Sequence, residues 1–202
     1  MSGRALAYLT DFFGTDSTLG HCYKNVPSIR DLDAAEAHYR IALDNYPEND
    51  ALARAQCLAQ ISMTWLDAIR EHGKERPLTP KLREKLAETI EQYESAFEGL
   101  PDDAWGDLAN LHNNLANALR LDPDRRSEAV DHLRTAHKYA VAAGRYDEAA
   151  TIRANLAQLF AMMHRSEEAS AAAEQALQEL HAVGIDDGQV ITRLKRIHLL
   201  GN

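Results

Sequence analysis

The sequence predicts an all-α protein assembled from repeated helix pairs. Alanine recurs at helical spacing: Ala35 and Ala42, Ala129 and Ala136, and Ala169 and Ala176 stand seven residues apart, two turns along one helix face. The Ala129 and Ala136 pattern returns forty residues later at Ala169 and Ala176, which is internal repetition. Aromatics make up only 6 % of the chain, and runs of Val, Ile and Thr are scarce, which argues against a sheet-based core. With 202 residues, 45 % of them apolar, the chain can bury one sizeable core. Much of that fraction is alanine, whose methyl side chain lets helix backbones approach closely.

Taken in order, residues 3–13, GRALAYLTDFF, read as a short first helix. GTDSTLGHCYKNVPSIR, residues 14–30, reads as an irregular extended loop, so that 1–30 form an irregular N-terminal part ahead of repeats over 31–180. In LDAAEAHYRIALDNYPEN, Ala35, Tyr39 and Ala42 share a helix face, and Pro47 stops the helix. Leu58 and Ala59 lie on the next helix. HGKERPLTPK, residues 72–81, is polar, carries two prolines and reads as a second extended loop. In LAETIEQYESAFEGLPDD, Thr89, Tyr93 and Ala96 repeat the earlier triad, with Pro101 as the stop. NLANAL at 114–119 and NLAQLF at 155–160 then open two further helix pairs, whose second helices start at Ser127 and Ser166. KYAVAAGRYDEAATIRANLAQLF reads as a lengthened first helix. Residues 188–200, GQVITRLKRIHLL, read as an amphipathic closing helix with Val190, Leu194 and Ile197 on one face and Arg193 and Arg196 away from it.

These residues carry a resemblance to the tetratricopeptide repeat (TPR) family. The family places a large residue, a small one and an aromatic on its first helix. Leu115, Ala116 and Leu119 match that in one repeat, and Leu156, Ala157 and Phe160 in the next. On the second helix it places Ala, an aromatic, Ala and then Pro, matched by Ala35, Tyr39, Ala42 and Pro47. The spacing of forty departs from the usual ~34 residues. The resemblance implies a right-handed, TPR-like α-solenoid of about four helix pairs with a C-terminal capping helix, forming a single domain over 1–202. It also implies that first helices line a concave groove. Within each pair, close packing at ~8–10 Å between axes accounts for the small residues.

Motifs for chemistry are missing from the sequence. It has no GxxxxGK[ST] or GxGxxG for phosphates and no CxxC or HExxH for zinc. Glu128 and His132, at i and i+4, read as a surface pair on one helix. His21 beside Cys22 reads as ordinary loop. The paired acids Asp102-Asp103, Glu167-Glu168 and Asp186-Asp187 fall at turns or helix starts, where they complement the helix dipole. The expectation is a protein with no catalytic residues, no metal and no cofactor.

The net charge of −9 disfavours nucleic acid and points to a neutral or basic protein or peptide partner. No stretch of 18 apolar residues, no signal-peptide core and only two cysteines predict a cytoplasmic protein that does not enter membrane.

The candidate binding residues are an amide row flanking the Leu-Ala pairs: Gln56, Gln60, Asn110, Asn113, Asn114, Asn117, Asn155 and Gln158, with Arg120 one turn beyond. Asparagine is a poor helix former, at ~0.5 kcal/mol or more against Ala, so four of them between 110 and 117 oppose the helix that the pattern demands. An amide offers both donor and acceptor and suits a peptide backbone of any sequence. In the resembling family an asparagine just before the Leu does this, and Asn114 and Asn155 stand there. The family's clamp for a C-terminal carboxylate needs Lys and Arg where this chain has Gln56, Asn113 and Ala154. The expected function is therefore an adaptor or scaffold that binds a peptide or partner helix in its groove. A ligand-responsive regulatory sensor is the alternative, and a self-assembling homo-oligomeric scaffold stands behind that.

Overall fold

The computed structural model describes residues 16–48, 50–73 and 78–199. The short helix read at 3–13 lies outside them. Every regular element among the described residues is helical. They are α1 (residues 16–25), α2 (Leu32–Asn45), α3 (Ala51–Gly73), α4 (Pro80–Ala96), α5 (Trp105–Leu119), α6 (Arg126–Ala142), α7 (Tyr146–Met162), α8 (Ser166–Ala182) and α9 (Gly188–His198). Short 3-10 turns at Pro27–Ile29, Phe97–Gly99 and Pro123–Arg125 complete the order. Among the described residues, no helix is long and apolar enough to cross a membrane. The chain divides into two compact units, Met1–Pro101 and Asp102–Asn202.

In the first unit α2 packs on α3 and α3 on α4. Asp31 caps α2, its side chain accepting from the Ala34 amide at 2.9 Å. Ala35, Tyr39 and Ala42 are fully buried and form a core with Cys57 and Ile61. The corresponding triad on α4, Thr89, Tyr93 and Ala96, is buried too.

Two readings of loops need correction here. Residues 16–25 are helical, and the helix ends at Val26, whose extended backbone precedes Pro27 as the proline ring requires. Gly20, within that segment, lies against the Tyr39 ring; a Cβ there would sit 2.9 Å from it. The glycine serves close packing rather than a turn. Likewise 72–81 is not one extended loop, because α3 runs on to Gly73 and α4 starts at Pro80. Pro80 occupies the first helical turn, where its missing N–H costs nothing, and the Thr79 side chain caps it by accepting from Leu82 N at 3.3 Å.

In the second unit each helix packs on the next, and α9 also packs on α7. The stretch read as one lengthened helix, KYAVAAGRYDEAATIRANLAQLF, is broken at 143–145. Helices α6, α7 and α8 are each 17 residues long, so the added length is shared between both helices of a repeat. Their starts at Arg126, Tyr146 and Ser166 resolve the forty-residue repeat into twenty-residue helix-turn units. The break has a local cause. Gly144 and Gly184 take left-handed backbone at φ 72°, and the same position between them is His164 at φ 58°. After each, an amide reaches back to close the helix: Arg145 N to Ala140 O, Arg165 N to Phe160 O and Ile185 N to Leu180 O, at 2.9, 3.0 and 2.9 Å. Each of α6, α7 and α8 follows an arginine that pairs with a glutamate three residues on: Arg125 with Glu128, Arg145 with Glu148 and Arg165 with Glu168.

The alanines of the helix pairs, Ala116, Ala129, Ala157 and Ala169, are all fully buried. On α9, Leu194 and Ile197 face inward while Arg193 and Arg196 are exposed, and Ser170 Oγ of α8 donates to His198 O at 2.8 Å.

Candidate functional site

Asn110, Asn113, Asn114 and Asn117 fall at i, i+3, i+4 and i+7 on α5 and therefore share one face. Exposure falls along that face, from exposed Asn110 through half-buried Asn113 and Asn114 to Asn117, which is 8 % exposed. The first helix of the next pair meets it: Asn155 Nδ2 on α7 donates to Asn113 Oδ1 at 3.1 Å. One turn further along α7, Gln158 Oε1 accepts from Arg193 of α9 at 3.4 Å. Side chains thus link α5 to α7 and α7 to α9 in a polar seam. On the other helices, His137 of α6 lies 3.2 Å from Glu179 of α8.

Of the residues read from sequence, Asn113 and Asn155 are in direct contact, and Asn110, Asn114, Asn117 and Gln158 lie on the same two helices. Arg120 is the C-cap of α5, and its carbonyl accepts from Arg126 Nε at 3.2 Å. Gln56, exposed, and Gln60, half-buried, are on α3 in the other unit.

Several polar groups escaped the sequence reading. Glu128, which interacts with His132 one turn on, is also held by Arg125 at 2.6 Å. The His132 ring further meets His112 of α5, with the two Nδ1 atoms 2.8 Å apart. Burial, with His132 beside it, pushes His112 down to a pKa of about 4.

Arg153 of α7 donates to Glu179 Oε1 at 2.7 Å and to Gln175 Oε1 at 2.7 Å, and one of its terminal nitrogens lies 2.9 Å from His137 Nε2. Burial and the Arg153 guanidinium hold His137 below its usual range against the pull of Glu179.

In the first unit Glu36, 7 % exposed, accepts from Trp65 Nε1 at 2.7 Å, Lys85 Nζ at 2.9 Å and Arg40 at 2.6 Å. Burial pushes its carboxyl up, but the hydrogen bonds from Lys85, Arg40 and Trp65 outweigh that and hold it below the ordinary carboxylate range. The sequence carried one sign of this, a carboxylate next to the core residue Ala35 with an arginine four positions on.

Among the described residues, no group of three or more His, Cys, Asp or Glu side chains could hold a metal ion. Chemically the seam offers uncharged donors and acceptors with one arginine at its α9 end. Compared with known proteins, the chain matches no family model and no curated protein.

Proposed function

We propose that the chain is a TPR-like α-solenoid adaptor, cytoplasmic and without enzymatic activity, whose α5–α7–α9 face binds an extended peptide segment of a neutral or basic protein partner. The observation that carries this reading is the Asn155–Asn113 hydrogen bond. It joins the first helices of two successive pairs through Asn155, which stands just before the Leu, and Asn113 of the amide row on α5. Amides in that row can each give a hydrogen to a peptide carbonyl and accept one from a peptide N–H. Helix propensity disfavours four asparagines on α5, and their presence on one face against that preference fits a role beyond folding. Free thiols at Cys22 and Cys57 suit a reducing compartment.

The test uses displayed random peptides selected on the full chain. The Asn113→Ala/Asn155→Ala double variant removes both partners of the bond, so neither amide is left orphaned and the helices should remain intact. Selected peptides should bind the double variant about tenfold or more weakly, with little dependence on salt. Equal affinity for both proteins would move the binding surface off this face.

A further inference from the structure

The pair His112 and His132 links α5 to α6 through facing ring nitrogens. Their Nδ1 atoms are 2.8 Å apart, the ring centroids 5.0 Å apart, and Tyr139 of α6 stacks on His112 at 5.7 Å with the rings 18° from parallel. A contact of that length needs one Nδ1–H and one Nδ1 lone pair. Two neutral imidazoles can supply this by taking opposite tautomers. One imidazolium facing one neutral ring can supply it as well. Two imidazoliums cannot, because both nitrogens would then carry a hydrogen and a positive charge.

We propose that this pair is a proton-operated latch: uptake of the second proton separates the rings and loosens α5 from α6. The latch rests on the histidine geometry alone. Its effect on peptide capture rests additionally on the reading of the α5 face given above.

On α6, Glu128 lies one turn from His132 and interacts with it, while its carboxylate is held by Arg125 at 2.6 Å. Asp131 and Arg134 pair with each other at 3.6 Å on exposed surface. Arg126 is turned to the Arg120 carbonyl, and Lys138 is exposed. On α7, Arg145 is tied to Glu148 and Arg153 to Glu179. Asp107 sits in the first turn of α5, five residues before His112. Tyr139 is the titratable group that stacks on His112.

Closed, His112 titrates at about 4; released to water it returns towards 6.5. The open form therefore binds more protons between those values, and opening becomes easier as the pH falls. Those two values make the open form about thirtyfold more populated at pH 5.0 than at pH 7.5.

Amide hydrogen exchange of the full chain, referred to intrinsic rates at each pH, reads this directly. Protection of α5 amides should fall by about thirtyfold between pH 7.5 and 5.0 while α2 keeps its own. His132→Gln keeps a hydrogen-bonding group opposite His112 but takes up no proton. His112→Phe keeps the stack on Tyr139 and does not titrate. In His112→Phe, α5 protection should change less than about threefold over the same range, whereas His132→Gln, which leaves His112 buried, should show a smaller fall than the wild type. Unchanged α5 protection in the wild type overturns the latch. So does an equal loss across α2 and α5, or a loss that persists undiminished in either variant. Because the readout is exchange and not binding, it fails independently of the peptide-binding proposal.

Discussion

Glu36→Ala removes a carboxylate that three helices share. In the folded protein Glu36 of α2 accepts from Trp65 of α3 and Lys85 of α4, and from Arg40 one turn along its own helix. The partners differ in what they lose. Arg40 is 48 % exposed at its side chain and can turn to water, so its share is small. Lys85 is 18 % exposed at its side chain and Trp65 7 % overall, so a charge and an indole N–H are left where water reaches poorly. Removing one partner of a buried ion pair costs ~3–5 kcal/mol, and the slightly better helix propensity of Ala returns a few tenths. The expected loss is about 3 kcal/mol.

The chain has two tryptophans, Trp65 and Trp105, so a Trp105→Phe background leaves Trp65 as the fluorescence reporter. In that background the urea midpoint should fall by roughly 1–2 M with the slope unchanged. Glu36→Gln keeps an acceptor for Trp65 and should lose less, about 1–2 kcal/mol. The wild-type contribution is also pH-dependent. Folded Glu36 titrates below its ordinary 4.5, so its contribution is complete above that value and is lost as the pH falls through the folded one. Glu36→Gln should flatten that acid limb. A midpoint for Glu36→Ala equivalent to less than about 0.5 kcal/mol of loss would refute the hub, since ordinary surface substitutions reach that much.

Three further outcomes are expected. His164→Gly relieves left-handed backbone at φ 58° and should stabilise by about 0.5–1 kcal/mol in thermal melts, the strain outweighing the added freedom of the unfolded glycine; a lower melting temperature would contradict this. Gly144→Ala should destabilise by about 1 kcal/mol, from backbone strain alone, because a Cβ there meets nothing within 4 Å. Ala157→Leu places three extra carbons at a fully buried site and should cost about 1–3 kcal/mol by urea unfolding; wild-type stability would mean that α7 is not tightly packed there.

Much of the helical framework was legible because its signals are local. Ala35, Tyr39 and Ala42 announce a buried face by spacing, and Leu194 and Ile197 do the same for α9. The errors are local as well. The segments 14–30 and 72–81 read as loops, whereas the first holds a helix in which Gly20 permits a close approach to Tyr39, and Pro80 at the end of the second opens α4. Gly144 was passed over inside a run of helix formers, although it is the residue that ends α6. The amide face of α5 could be read from period alone, but its partner on α7 could not. Repeat position sets Asn155 beside Asn114 in the pattern, and packing adds a hydrogen bond from Asn155 to Asn113 that no period predicts. The pairs His112–His132 and Arg153–Glu179 join residues 20 and 26 positions apart, and nothing in either local segment names the other.

The twenty-residue rhythm of α6, α7 and α8 also sets a rule of parity for changes in chain length. Consecutive helices run in opposite directions, so inserting or deleting a single twenty-residue unit would reverse the sense of every helix after it. It would also exchange the two kinds of position, putting an α8-type surface where α7 must meet both α5 and α9. A change of forty residues restores direction and neighbours together. Duplication of 145–184 would therefore hand α9 the same pair of helices that it packs on now, and lengthen the unit without asking any existing contact to change.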